Sequence, residues 1–226
     1  MRAAAFFDLD RTLISHSSSL ALAGPFAKRG LIGRRDVLKA ALAQRVFTRF
    51  GAGQRRVGQT ADSAMSVLRG LSVEVMREIA AEAWEPVLRP LVYREALDAA
   101  TEHREQGELV FIVSAALQEV VEEIATRLDF DGAIASRAET EDGTFTGRLE
   151  RRLYGQAKVE ALVQVAEARG IELAASSGYS DSVSDAPFLE AVGSPVAVNP
   201  DRALRRYAAD RGWPVVRWHE KAFPSG

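Results

Sequence analysis

Two aspartates stand two residues apart in Phe7-Asp8-Leu9-Asp10-Arg11-Thr12, directly after an apolar run over 3–7. A carboxylate in the first position can attack phosphorus and can also bind a hard cation. The second can offer its backbone carbonyl to that cation and turn its side chain toward a leaving oxygen. The same spacing also suits a turn or a helix cap, where aspartate is common. Ser114 ends a second apolar run, 109–113, ahead of a helical pattern. A serine there, with the N–H groups of a helix start, makes a phosphate cradle; its plainer reading is an N-cap. Lys158 falls on the early turns of a helical pattern over 156–168, where a surface lysine is the ordinary reading. In Gly178-Tyr179-Ser180-Asp181-Ser182-Val183-Ser184-Asp185 two acids lie four apart, after a strand and entering a helix. Capping plus a solvated face would account for one such pair. Four pieces in this order, each in a matching context, are not a chance set.

Other chemistries are excluded by residue type. The chain has no cysteine, so it has no disulfide framework, thiolate zinc site or cysteine nucleophile. Its three histidines, at 16, 103 and 219, are far apart in sequence, and any metal is expected on oxygen ligands.

The elements that must position these residues follow from the hydrophobic pattern. Short apolar runs at 3–7, 109–113 and 195–198 read as strands buried on both faces, as in a parallel sheet. The stretch 173–179, rich in Ala and Ser, is weaker and is taken as a strand because of the acids that follow it. Leu117, Val120, Val121, Ile124 and Leu128 recur at helical spacing, which predicts an amphipathic helix over 116–128. Val159, Leu162, Val163 and Ala166 repeat the pattern, with Gly170 as the stop. Asn199-Pro200 reads as an N-cap with proline at the first helical position, ahead of a helix over 201–211. Strands alternating with helices predict an α/β fold, a doubly wound parallel sheet of Rossmann-like type, whose ligands gather at the carboxyl ends of the strands. Two segments depart from the alternation. Residues 15–90 read as a helical insert after the first strand, punctuated by Gly30, Gly33, Gly51, Gly53 and Gly58. Residues 136–149 read as a hairpin turning at Asp142-Gly143. The Trp213–Trp218 tail is expected to close a sheet edge, with the other aromatics in the core. The expected layout is a core of 1–14 and 91–226 with a cap of 15–90.

With 226 residues, 47% hydrophobic and 27% charged, the chain suits one globular domain with a smaller insert. Lys and Arg number 29 against 31 Asp and Glu, so no global charge drives it toward nucleic acid or membrane. No stretch approaches the ~18 uninterrupted apolar residues of a membrane span, and a soluble, cytoplasmic protein is expected. The segment 28–56 holds nine basic residues and one acid, Asp36. It reads either as a solvated helix face or as a surface that steers a phosphorylated substrate inward. A nucleic-acid or anionic-lipid patch is disfavoured because aromatic interleaving is sparse. Oligomeric state is not readable from the sequence.

At the four pieces named above the chain resembles the haloacid dehalogenase superfamily of phosphohydrolases. Asp8-Leu9-Asp10-Arg11-Thr12 matches its first motif, Ser114 the second and Lys158 the third. Residues 180–185 resemble the fourth, with Ser180 where glycine is usual. The likeness is to the branch containing phosphoserine phosphatases, where a small helical cap lies between the first and second motifs, in agreement with 15–90. The hairpin with Asp142-Gly143 and Thr146-Gly147 is similar too, as is the tail 195–201 with Trp213-Pro214.

The resemblance implies a Mg2+-dependent phosphomonoester hydrolase acting on a small phosphorylated metabolite. Asp8 would form an aspartyl-phosphate. Asp10 would protonate the departing alkoxide and then take a proton from water. Mg2+ would sit on the Asp8 carboxylate, the Asp10 carbonyl and Asp181, and with Lys158 would offset the repulsion between carboxylate and phosphate. Ser114 and the N–H groups of Leu9, Asp10 and Ala115 would hold phosphoryl oxygens, with Asp185 and Thr12 in support. Two features of phosphoserine phosphatases are missing: no acid follows the first motif in Ile14-Ser15-His16-Ser17-Ser18-Ser19, and Asp62 or Ala64 stands where a cap arginine is expected. Other alkyl phosphates, such as histidinol phosphate, phosphorylated alcohols or lysophospholipids, stay open. So do transfer to a second alcohol by a phosphotransferase or mutase, and a non-catalytic role in which the basic cap binds an anion.

Overall fold

The computed structural model describes residues 2–33, 65 and 67–223. Strand β1 (Ala4–Asp8) is buried along its whole length, as expected of an apolar run covered on both faces. Residues of a strand alternate between faces, so Phe6 and Phe7 enter different cores. Phe6 stacks on Phe111 at 5.5 Å between ring centres and Phe7 on Tyr179 at 4.4 Å. After β1 come the short helices α1 (Ser18–Ala21) and α2 (Ala23–Lys28), and then α3 (Val73–Ala83). Ser72 caps α3 by accepting the Val75 N–H, and Met76, Ile79, Ala80 and Ala83 form its buried stripe. A π-turn (Trp84–Leu88) and a 3-10 turn (Arg89–Leu91) lead to α4 (Arg94–Glu105).

Strand β2 (Leu109–Leu117) is followed by α5 (Gln118–Arg127) and the antiparallel pair β3 (Gly132–Glu141) and β4 (Thr144–Arg151). Asp142 and Gly143, both at positive φ, make the turn between them. Next come α6 (Gln156–Arg169), which ends at the left-handed Gly170, β5 (Ser177–Ser180), α7 (Ala186–Glu190), β6 (Ser194–Val198), α8 (Arg202–Arg211) and β7 (Val215–Val216). The sheet order is β4-β3-β2-β1-β5-β6-β7, parallel except at β4. From β1 the chain builds outward through β2 and β3, then crosses to β5 on the other side of β1. That reversal opens a crevice at the carboxyl ends of β1 and β5.

The doubly wound sheet and the hairpin agree with the sequence reading, and β7 is the edge closed by the tail. Four local expectations need correction. The second strand does not stop at Ser114 but runs to Leu117 through a register shift, so the next helix starts at Gln118. β3 begins at Gly132 and pairs with β2 before it turns into the hairpin. Leu173–Ala175 is a 3-10 turn, and β5 starts only at Ser177. The cap of α8 is Asp201, which accepts the Leu204 N–H at 2.7 Å. Asn199 instead turns its side chain to the backbone of Trp218.

Described residues within 15–90 hold helices and turns but no strand. Their return end docks on the hairpin: the Val73 N–H donates to Gly143 O, and Phe145 N–H donates to Leu71 O, each at 2.9 Å. Of the basic segment 28–56, residues 34–56 lie outside the described residues, as do Asp62 and Ala64. Arg29 is paired on the surface with Glu78 and Glu82.

Candidate active site

Asp8 is the last residue of β1, and the chain turns sharply after it. The Leu13 N–H returns to Asp8 O and Leu9 O, with Arg11 in the left-handed region at φ 66. Leu9 and Thr12 are fully buried beneath this turn, and the Thr12 hydroxyl finds no partner among the described residues. Register pairs Asp8 with Val113, so Ser114 lies one residue further along β2. Its hydroxyl accepts the Ala116 N–H at 3.1 Å. Because β2 continues past Ser114, the main-chain groups beside it belong to 114–117 and not to a helix start.

Lys158, in the first turn of α6, is only 2% exposed. Its Nζ donates to Asp8 Oδ1 at 2.6 Å and to Asp185 Oδ2 at 2.7 Å. An ammonium buried this deeply is tolerable only when paired. Burial lowers its pKa, but Asp185 and Asp8 together win and hold it above the ordinary lysine range. Burial raises the Asp8 carboxyl, with the charges of Asp185 and Asp10 adding to it, against the pull of Lys158. The two directions are compatible because one ammonium is shared between two carboxylates. It keeps its proton, while the Asp8 carboxylate is not fully compensated.

Asp181 follows β5 directly and is also buried. Its carboxylate receives no hydrogen bond among the described residues, although its backbone carbonyl accepts the Asp201 N–H at 2.8 Å. Burial raises its pKa, Asp8 raises it further, and Arg11 partly counters them. Asp10 Oδ1 accepts the Ser18 N–H at 2.9 Å. Its carboxyl is raised by burial and pulled back by Ser18 and the Ser17 hydroxyl.

Two carboxylates thus contact one buried ammonium, and Asp10 and Asp181 add their charges to the surroundings of Asp8. The excess negative charge, on hard oxygen donors, suits a divalent cation such as Mg2+. Among the described residues no three His, Cys, Asp or Glu side chains form a metal-holding cluster. The set expected from the sequence has only two side-chain ligands, Asp8 and Asp181, with the Asp10 carbonyl as third.

Asp8, Lys158 and Asp185 are therefore joined by direct hydrogen bonds. Asp10 and Asp181 share their electrostatic surroundings, and Ser114 and Ala115 follow Val113, the register partner of Asp8, along β2. Two contributors escaped sequence reading. Ser180 donates its hydroxyl to Asp185 Oδ2 at 2.7 Å, and Ser18 holds Asp10. The serine run 17–19 that follows the first motif is the signal for the second. His16 pairs with the neighbouring Ser15 hydroxyl at 2.9 Å.

The model of the haloacid dehalogenase-like hydrolase family matches residues 5–190. An "Inhibition of morphological differentiation protein" of Streptomyces azureus is 44% identical, covering 96% of this chain and 79% of its own. A probable phosphatase of Mycobacterium tuberculosis is 41% identical, covering 95% and 75%. A phosphoserine phosphatase of the same organism is 34% identical, covering 95% and 70%. Among solved structures, a Bordetella pertussis protein of unknown function superposes with a TM-score of 0.81 at 32% identity, covering 96% and 98%. An apo phosphoserine phosphatase shares the fold at TM-score 0.65 and 22% identity, covering 91% and 90%. The chain belongs to the haloacid dehalogenase-like hydrolases and is a phosphatase of that family, built on the fold of its phosphoserine phosphatase-like branch.

Proposed function

We propose that the protein hydrolyses a small phosphate monoester with Mg2+ through an aspartyl-phosphate on Asp8. The observation that carries this reading is the Lys158 ammonium held 2.6 Å from Asp8 and 2.7 Å from Asp185 at the carboxyl end of β1. Lys158 occupies Asp8 Oδ1, which leaves Oδ2 to approach phosphorus. As the Asp8 oxygen bonds to phosphorus, the ester P–O bond breaks, and Asp10 gives its proton to the departing alkoxide. Burial favours the protonated form that this step requires. Water then attacks the phosphoryl group, Asp10 takes its proton, and the Asp8–phosphorus bond breaks to release phosphate. The Ser114 hydroxyl and the N–H groups of Leu9, Asp10 and Ala115 steady the phosphoryl oxygens as charge spreads. Asp185 orients Lys158, and Thr12 supports the turn. Bound Mg2+, held by the Asp8 and Asp181 carboxylates and the Asp10 carbonyl, would neutralise charge between two anions that otherwise repel.

In this reading 1–14 and 91–226 form the catalytic core and 15–90 a helical cap over it. The substrate is a soluble metabolite, which goes with a cytoplasmic setting, and no described helix is long and apolar enough to cross a membrane. A phosphoserine phosphatase among the relatives supports an alkyl phosphate, and the missing ammonium and carboxylate clamps favour one other than phosphoserine. The test is a panel of phosphate esters assayed for free phosphate with Mg2+ and with EDTA. Turnover is expected only with Mg2+ and is expected to vanish in Asp8→Asn. Undiminished turnover in that variant would overturn the mechanism, and phosphate appearing on a second alcohol faster than in solution would reassign the acceptor.

A further inference from the structure

Residues 91–94, where the helical segment returns to the core, pass from the end of the 3-10 turn at Leu91 to the start of α4 at Arg94, and hydrogen bonds occupy both edges of this link. Toward one side, Ser15 N–H donates to Leu91 O at 2.9 Å and Tyr93 N–H to Leu13 O at 3.0 Å. Toward the other, Ala222 N–H donates to Val92 O at 3.0 Å and Arg94 N–H to Glu220 O at 2.9 Å. The alternation is that of an antiparallel ladder, and isolated bridges pair Ile14 with Val92 and Tyr93 with Lys221. The outgoing limb 13–15, the return limb 91–94 and the tail 220–222 thus run side by side, joined by these bonds.

The tail is anchored elsewhere too, by Asn199 on the Trp218 backbone, by Arg94 on Ala222 O, by Glu95 and by the stacking of Trp218. Glu95 Oε1 accepts the N–H groups of His219 at 2.8 Å and Glu220 at 3.1 Å. Trp218, 9% exposed, lies stacked beside Tyr179 and Phe7, the residues two before Asp181 and one before Asp8. At the other end of the ladder, the outgoing limb continues to Ser18, whose N–H is bonded to Asp10 Oδ1.

We propose that the tail segment 218–222 positions Asp10: it clamps the return limb, which holds the outgoing limb, which carries the Ser18 N–H that orients the carboxyl. The inference rests on the acid–base role proposed for Asp10, and it makes Glu95 a positioning residue that acts through the tail backbone. A frayed tail leaves one edge of 91–94 unpaired. The limb 13–18 then samples more positions, and Asp10 spends less time aimed at the leaving oxygen. The loss falls on substrates whose leaving group needs a proton.

The experiment compares phenyl phosphate, with a poor leaving group, and p-nitrophenyl phosphate, with a good one, on nearly the same ring. The variants are Glu95→Ala, which removes the anchor on His219 and Glu220, and Glu95→Gln, which keeps an oxygen acceptor. General acid catalysis is worth roughly 10²–10⁴-fold, so a partial loss in Glu95→Ala is expected to lower kcat/KM about tenfold more for the phenyl ester. Glu95→Gln is expected to restore the wild-type ratio. Amide hydrogen exchange over 13–18 is expected to speed up in Glu95→Ala alone. An equal loss on both esters, or unchanged exchange over 13–18, overturns the proposal. If the wild type turns over neither ester, the functional reading fails by itself, and exchange over 13–18 still decides whether the tail holds the limb.

Discussion

Asp185 Oδ2 receives two donors, the Lys158 ammonium and the Ser180 hydroxyl, each at 2.7 Å. The two are not equivalent. Lys158 also carries the positive charge that lets Asp8 and Asp185 lie close together, whereas Ser180 contributes direction. Ser180 is fully buried, so losing its hydroxyl leaves Asp185 with one donor and little water. Hydrogen bonds to charged groups contribute about 1.5–3 kcal/mol, and Ser180→Ala should lose a stability in that range on urea unfolding. Its kcat should stay within about tenfold of wild type, because the ammonium remains. Lys158→Ala removes the positive charge held on the Asp8 carboxylate and should cost roughly 10²–10³-fold or more in kcat. Equal losses in the two variants would show that Asp185, and not the charge on Lys158, governs the rate.

At the scale of elements, what was legible in the sequence was what one strand or helix decides for itself. The strand over 4–8, buried throughout, and the strand over 194–198, buried only at Ala197 and Val198, announce themselves by apolar runs, and the hairpin by Asp142-Gly143. What was not legible depends on partners far along the chain. β2 outlasts its apolar run because β3 pairs with it on the far side of the register shift. Asn199 does not cap α8 because Trp218 claims both ends of its amide. The β5–β6 connection is a third case, set by Gly193. A Cβ there would lie 1.8 Å from the Ala174 carbonyl oxygen, and the Gly193 N–H already bonds Leu173 O at 3.0 Å. Neither atom can move without shifting the turn that starts β5, the strand leading into Asp181. Gly193→Ala should therefore cost about 3 kcal/mol or more, measured by chemical unfolding, and should lower activity by displacing Asp181. A loss below about 1 kcal/mol would mean that the Leu173–Ala175 turn yields easily.

Across the whole molecule the formal charge is only -2, yet the carboxyl ends of β1 and β5 concentrate acids drawn from positions 8, 10, 181 and 185. The fold brings them together because the sheet reverses direction at β1. Their order along the chain made the site legible before its geometry was known. Such crowding opposes folding unless something positive enters. Burial and Asp8 already push the Asp181 carboxyl toward its neutral form, so the folded state alone disfavours that charge. Replacing it by an uncharged isostere should relieve the strain, and Asp181→Asn should unfold at a higher temperature than wild type in EDTA. Mg2+ should reverse the ranking. A ligand that binds only the folded state adds about 2.7 kcal/mol when present at 100 times its Kd, and wild type should gain a stabilisation of this kind that Asp181→Asn lacks. Thermal unfolding of both proteins with and without Mg2+ separates the two contributions. If Asp181→Asn gained as much from Mg2+ as wild type does, the cation would have to sit elsewhere. If Asp181→Asn were the less stable protein in EDTA, the charge would be compensated within the chain, and Arg11 would be the residue to examine next.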